Sequence, residues 1–194
     1  MSAMLLKELI QKTIVLLGCY TQQNVEVGDV CLSSLDANFM HEVANTSRGR
    51  GVLACIQCGR CISSCPVSRE VDEHNPRKLM EMIILGLRSD VLCGQLPWYC
   101  LSCFTCLDRC PQGGDVGETT FAIRNLASRQ GNIPKGILVQ ALSLFDTGRV
   151  VVPTRMALMN RETYGLGKEP TIDVDAVQKI LRKTAFDNLI RRGS

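Results

Sequence analysis

The sequence predicts a mainly α-helical fold, and three observations predict it. Apolar residues recur at intervals of three and four along most of the chain. Several of these segments open on proline or a capping side chain and close on glycine, and none has the β-branched runs of a buried parallel sheet. Two short cysteine-dense loops, "CIQCGRCISSCP" at 55–66 and "CLSCFTCLDRCP" at 100–111, interrupt the helices with one shared cysteine spacing of three, three and four. At 194 residues the chain is long enough to bury a core of its own, so whatever the cysteines hold adds to a core rather than replacing one.

Taken in order, Leu6, Ile10 and Ile14, with Leu5 and Leu9 beside them, mark one apolar face of a first helix. "NVEVGDV" alternates around Gly28 and Asp29 as a small hairpin would. Ser33 or Ser34 can cap a second helix carrying Leu35, Phe39 and Val43. Between the cysteine loops, "HNPRKLMEMIILGLRSD" offers Asn75 as cap, Pro76 at the first helical position and apolar residues nearly all round, which predicts a buried helix. After the second loop come "GETTFAIRNLASRQG", "IPKGILVQALSLFDTG" and "VPTRMALMNRETYGLG". A last helix from about Asp173 places Val177, Leu181, Ala185 and Leu189 on one stripe. The division expected is an N-terminal helical extension over 1–48, a cysteine-rich helical domain over 49–131 and a C-terminal helical extension over 132–194.

Composition narrows the function. The formal charge of +3 counts every cysteine as a neutral thiol, and only 5% of residues are aromatic. Neither a basic stripe nor a stacking platform for nucleic acid is visible. Eleven cysteines is an odd number, and eight of them sit in the two repeats, so a secreted disulfide framework fits poorly and a reducing cytoplasmic setting fits better. The N-terminus, interrupted by Lys7, Glu8 and Lys12, reads as neither a signal peptide nor a membrane span.

The spacing itself carries the chemistry. Three cysteines at steps of three let one loop wrap the corner of an iron–sulfur cubane, with backbone N–H groups turned toward sulfur. Structural zinc prefers two separated pairs in a tetrahedron, whereas here a third cysteine follows each pair at once. The proline after the fourth cysteine, Pro66 or Pro111, starts a new segment with a fixed φ. In two-cluster ferredoxin motifs that fourth cysteine ligates the other cluster. The expected ligand sets are therefore Cys55, Cys58, Cys61 and Cys110 for one 4Fe-4S cluster, and Cys100, Cys103, Cys106 and Cys65 for the other. With both clusters near −2 when oxidised, the loaded chain would carry about −1.

Around the ligands, Arg60 and Arg109 can act as tuning cations or as solvated surface residues, and Gln57, Ser102 and Thr105 can hydrogen-bond to sulfur. Trp98 and Tyr99 read as packing that shields a cluster. Cys19, Cys31 and Cys93 read as small buried hydrophobes, and His41 and His74 as residues of a helix surface and a loop. No G-x-G-x-x-G, P-loop, Ser/His/Asp ordering or Cys-Cys dipeptide stands out, so no catalytic residue is expected in this chain.

"ACIQCGRCISSCPV", "NPRKLMEMIILGL" and "WYCLSCFTCLDRCPQGGDV" together resemble the small iron–sulfur protein, the C component, of heterodisulfide reductase from methanogenic archaea, over about residues 35–130. The resemblance implies a helical ferredoxin-like scaffold with two 4Fe-4S clusters that passes single electrons from a flavin- and iron–sulfur-containing A component to a disulfide-reducing B component. In that family the B component reduces the disulfide of coenzyme M and coenzyme B, with a hydrogenase or other electron-donor module upstream. The iron–sulfur protein of another respiratory, sulfur- or 2-hydroxy-acid-oxidising complex is the alternative, and a cluster-bearing sensor or structural module is the alternative of a different class. The amphipathic regions around 3–17 and 174–190 are candidate partner-binding helices, or helices packed on their own domain.

Overall fold

A computed structural model of the chain describes residues 34–184 and 186–193. The expected first helix, the "NVEVGDV" hairpin, Ser33, Cys19 and Cys31 lie outside those residues. Helix is the only regular secondary structure among the described residues, in keeping with the mainly α class read from the periodicity. The chain divides into two compact units at Gln130/Gly131.

In the first unit, helix α1 (Phe39–Ala44) starts later than the sequence suggested. Asp36 makes the turn: its carbonyl accepts the Phe39 N–H at 3.0 Å and its carboxylate accepts the Asn38 N–H at 3.0 Å, so Leu35 falls before the helix and Ser34 is not its cap. A 3-10 turn (Arg50–Ala54) leads into the first cysteine loop, whose short helix α2 spans Arg60–Ser63. Helix α3 (Pro76–Ile84) has the predicted cap, with Asn75 Oδ1 accepting the Lys78 N–H at 2.9 Å and Pro76 in the first turn.

That helix is buried on one face only. Leu79, Met80 and Ile83 are fully buried while Leu85 is 53% exposed, because Gly86 at φ +78° ends the segment and the apolar run is shared between a helix and a turn. Helix α4 (Arg88–Cys93) follows, and Arg88 holds it to α1 by forking onto Glu42 and reaching Asp36 at 3.3 Å. A second 3-10 turn (Leu96–Tyr99) enters the second loop, which contains α5 (Thr105–Arg109) and runs on to α6 (Val116–Arg129).

The core of this unit joins Phe39 and Val43 of α1, Val52, Leu79 and Ile83 of α3, Leu92 of α4 and Ile123 of α6, all 1% exposed or less. Each such side chain contributes about 1.5–3 kcal/mol by leaving water. Cys55, Cys61 and Cys106 pack against this core from the loop side, so hydrophobic burial anchors both loops.

The second unit holds α7 (Lys135–Thr147), α8 (Arg155–Thr163), α9 (Val174–Lys183) and α10 (Phe186–Gly193). Helices α7, α9 and α10 pack on one another, and Gln178 Nε2 donates to the Phe145 carbonyl at 3.0 Å. The predicted last helix starts at its Asp173 cap but is interrupted at Thr184. Among the described residues no helix is long and apolar enough to cross a membrane.

Candidate functional site

The two cysteine loops have one backbone design. In each, the residue two after the first cysteine is left-handed, Gln57 at φ 57° and Ser102 at φ 57°. The residue after the second cysteine is left-handed too, Gly59 at φ 78° and Phe104 at φ 59°. Left-handed residues in a tight loop turn backbone N–H groups into a concavity suited to anions, here sulfur. Gly59 adopts this backbone without penalty, but Phe104 does so at a cost of about 1–3 kcal/mol. Its ring stacks on Phe121 with centroids 6.1 Å apart, and Gly117 leaves it room.

Helices α2 and α5 lie against each other, and each delivers the fourth cysteine of its loop across to the other side. One pocket is lined by Cys55, Cys58, Cys61 and Cys110, with Met80 and Val116 behind them. A second is lined by Cys65, Cys100, Cys103 and Cys106, with Val67, Phe104 and Thr120. The structure thus places Cys110 with Cys55, Cys58 and Cys61, and Cys65 with Cys100, Cys103 and Cys106, and all eight are free thiols. The seam between the loops is tight. A Cβ on Gly51 would come within 2.5 Å of the Asp115 nitrogen, and one on Gly114 within 3.1 Å of the Gly51 carbonyl and 3.4 Å of Cys110 Sγ.

Donors surround the sulfurs. Gln57 Nε2 donates to Cys55 Sγ at 3.3 Å, and Gly114 N–H to Cys110 Sγ at 3.2 Å. Ser102 N–H donates to Cys100 Sγ at 3.4 Å and the Thr105 hydroxyl lies 3.5 Å from Cys103 Sγ, while the Gly117 N–H exerts a pull on the Cys106 thiol. Of the three polar residues that the sequence singled out, Gln57 and Thr105 act through their side chains and Ser102 through its backbone.

Burial pushes the Cys61 thiol up to about 11, helped by repulsion from Cys55, and raises Cys106 against the pull of the Gly117 N–H. The Thr105 hydroxyl and N–H lower Cys103, which is exposed, as is Cys58. Buried thiols held neutral give up their protons when they bind metal, so loading releases protons. Among the described residues no three His, Cys, Asp or Glu side chains converge as a single ion requires. The thiols instead ring two spaces, and a four-thiolate set of this kind fits an iron–sulfur cubane.

Arg60 is exposed beside the first cavity and Arg109 is exposed outside both linings, the solvated alternative for Arg109. Trp98 packs on the core and Tyr99 meets His74 edge-on at 6.5 Å. His41 is on the surface of α1. His74 does sit in a loop, but it is only 3% exposed, lines the second cavity and faces the Leu96 carbonyl through Nδ1 at 3.3 Å. Cys93 departs from its sequence reading in being partly exposed, because the end of α4 at Gly94 carries it off the core face.

Arg124 carries no mark in the sequence. From α6 it reaches the second loop, donating through Nε to the Pro97 carbonyl at 2.9 Å, through Nη1 to Ser102 Oγ at 3.3 Å, and through Nη2 to the carbonyls of Trp98, at 3.4 Å, and Cys100.

Residues 51–114 match the model of the 4Fe-4S dicluster domain, and the cofactors of the chain are two 4Fe-4S clusters. The chain is 31% identical to the second C-type iron-sulfur subunit of the CoB–CoM heterodisulfide reductase of Methanocaldococcus jannaschii, over 82% of its length and 91% of that protein. It is 33% identical to the C-type iron-sulfur subunit of the CoB–CoM heterodisulfide reductase of Methanopyrus kandleri, over 72% of its length and 75% of that protein. It is 30% identical to the C-type subunit of the ferredoxin:CoB-CoM heterodisulfide reductase of Methanosarcina mazei, over 73% of its length and 90% of that protein.

Proposed function

Because the chain belongs to the family of C-type iron–sulfur subunits of CoB–CoM heterodisulfide reductases, we propose that it is the electron relay of a cytoplasmic complex of that kind. In this reading it stands between a flavin-bearing A component and a disulfide-reducing B component, with a hydrogenase, ferredoxin or similar donor upstream. The ligands are Cys55, Cys58, Cys61 and Cys110 at one centre and Cys65, Cys100, Cys103 and Cys106 at the other. What carries the reading is the pair of adjoining cavities, each ringed by four free thiols drawn from both loops. Bound there, each cubane supplies one-electron uptake and release.

The residues of the chain do the rest. Met80, Val116 and Thr120 exclude water from the inner walls, while the exposed Cys58 and Cys103 leave one edge of each site open to a partner. With four thiolates at each centre and no Cys-Cys pair in the sequence, neither centre keeps a position open to a disulfide.

The test is reconstitution. The isolated, chemically reduced chain should leave the coenzyme M–coenzyme B heterodisulfide intact, yet restore turnover to a complex depleted of it. Cleavage by the chain alone at the rate of the complex, or full activity without it, refutes the relay. Reversible one-electron reduction with no transfer to partners would favour a sensor module instead.

A further inference from the structure

The two loops share a design, but the cations beside them differ. At the first, Arg77 from α3 donates through Nε to Gln57 Oε1 at 3.3 Å, and Arg60 stands nearby; both are exposed. At the second, Arg124 is half-buried and gripped by three loop carbonyls, one of them that of Cys100. Its guanidinium also lies 5.8 Å from the Trp98 ring centroid and 5.7 Å from that of Phe121.

Among the described residues no carboxylate pairs with Arg124, and its side chain is half-buried. A partly desolvated cation without an anion is costly unless negative charge resides next to it. The negative charge available is that of the thiolates and what they hold.

Resting on the ligation proposed above, we propose that Arg124 is a positioning residue that makes the centre ringed by Cys65, Cys100, Cys103 and Cys106 the easier of the two to reduce, and so gives the relay a direction. Electrons then enter from a flavin- or iron–sulfur-bearing donor on the Cys55 side and leave on the Cys100 side. Each step moves one electron, oxidising the first centre and reducing the second, with no bond made or broken.

Magnitudes support that order. Coulomb energy scales inversely with dielectric, so at equal distance one charge at an effective value near 20 outweighs two exposed charges near 80 by about twofold. One opposing charge is Asp115, at the start of α6. Its carboxylate accepts the Glu118 N–H at 2.9 Å, and the helix dipole there offsets it.

The experiment is an anaerobic redox titration of the full, loaded chain followed by electron paramagnetic resonance, with Cys100→Ser identifying which signal belongs to the second centre. In the unsubstituted chain the second centre should take up its electron first. Arg124→Gln should weaken that uptake about tenfold, about 59 mV for one electron, and leave the first centre in place. Arg124→Lys, which keeps the charge and loses the fork, should recover most of the shift. The proposal is overturned if the first centre is reduced first, or if Arg124→Gln moves both centres equally or neither. Should Arg124→Gln fail to hold iron, the unsubstituted order and the lysine variant decide. A chain holding only one cluster would refute the ligation reading instead.

Discussion

Gly117→Ala probes how closely the second loop is built onto α6. A Cβ there would lie 3.0 Å from Phe104 Cδ1, 3.2 Å from Cε1 and 3.3 Å from Asp115 Oδ1. The ring cannot retreat easily: its own backbone is left-handed at φ 59°, Cys103 and Thr105 flank it, and Phe121 is stacked on it. Overpacking of this kind costs about 1–3 kcal/mol. Against it stands the helix preference of alanine over glycine, at most about 1 kcal/mol and smaller in a first turn. The clash wins, for a net loss of about 1–2 kcal/mol.

That loss should show as a lower denaturant midpoint for bleaching of the loaded protein and as a disturbed spectrum of the second centre alone, because the Gly117 N–H to Cys106 moves with the helix. In a Phe104→Leu background, where the obstructing ring is gone, the same alanine should cost almost nothing. An equal penalty in both backgrounds, or a raised midpoint in the single variant, would show that Phe104 does not limit the fit.

Cys65→Ala should cut iron from about eight to about four per chain by emptying the site ringed by Cys100, Cys103 and Cys106, and Cys110→Ala should empty the other. Loss of the same-loop site in either variant would refute the exchanged ligation. His74 gives a pH signature: burial outweighs the Leu96 carbonyl and holds the imidazole below its usual value of 6.5. The unfolded chain then binds the proton first, so stability should fall as pH drops below about 6.5, and His74→Gln should flatten that acid limb; identical slopes for the two proteins would falsify the assignment.

What the sequence made legible was periodic or local. The Asn75 cap with Pro76, the Asp173 cap and the three cysteines at steps of three in each loop all follow from spacing that a few neighbouring residues fix. The site residues that spacing does not mark depend on distant packing. Arg124 meets Ser102 across 22 positions and His74 meets the Leu96 carbonyl across 22, and neither stands in a pattern that singles it out. Phe104 was hidden for another reason. It occupies the position that Gly59 fills in the first loop, and only the stacked Phe121 explains why an aromatic residue is tolerated in that backbone. Helix α3 is less buried than its apolar run suggests because such a run does not reveal where a glycine turn will end the helix.

The crossing of the fourth cysteines between loops bears on how the protein matures. A cluster held within one loop would bridge only the eleven positions from Cys55 to Cys65, whereas with the proposed ligands each cluster ties together segments separated by most of α3, α4 and their turns. The chain entropy of closing so long a loop is lost once, when the first iron–sulfur unit binds, and the second finds its cysteines already assembled. The first cluster therefore binds against that cost, and the second binds more tightly to a ring of thiols already in place.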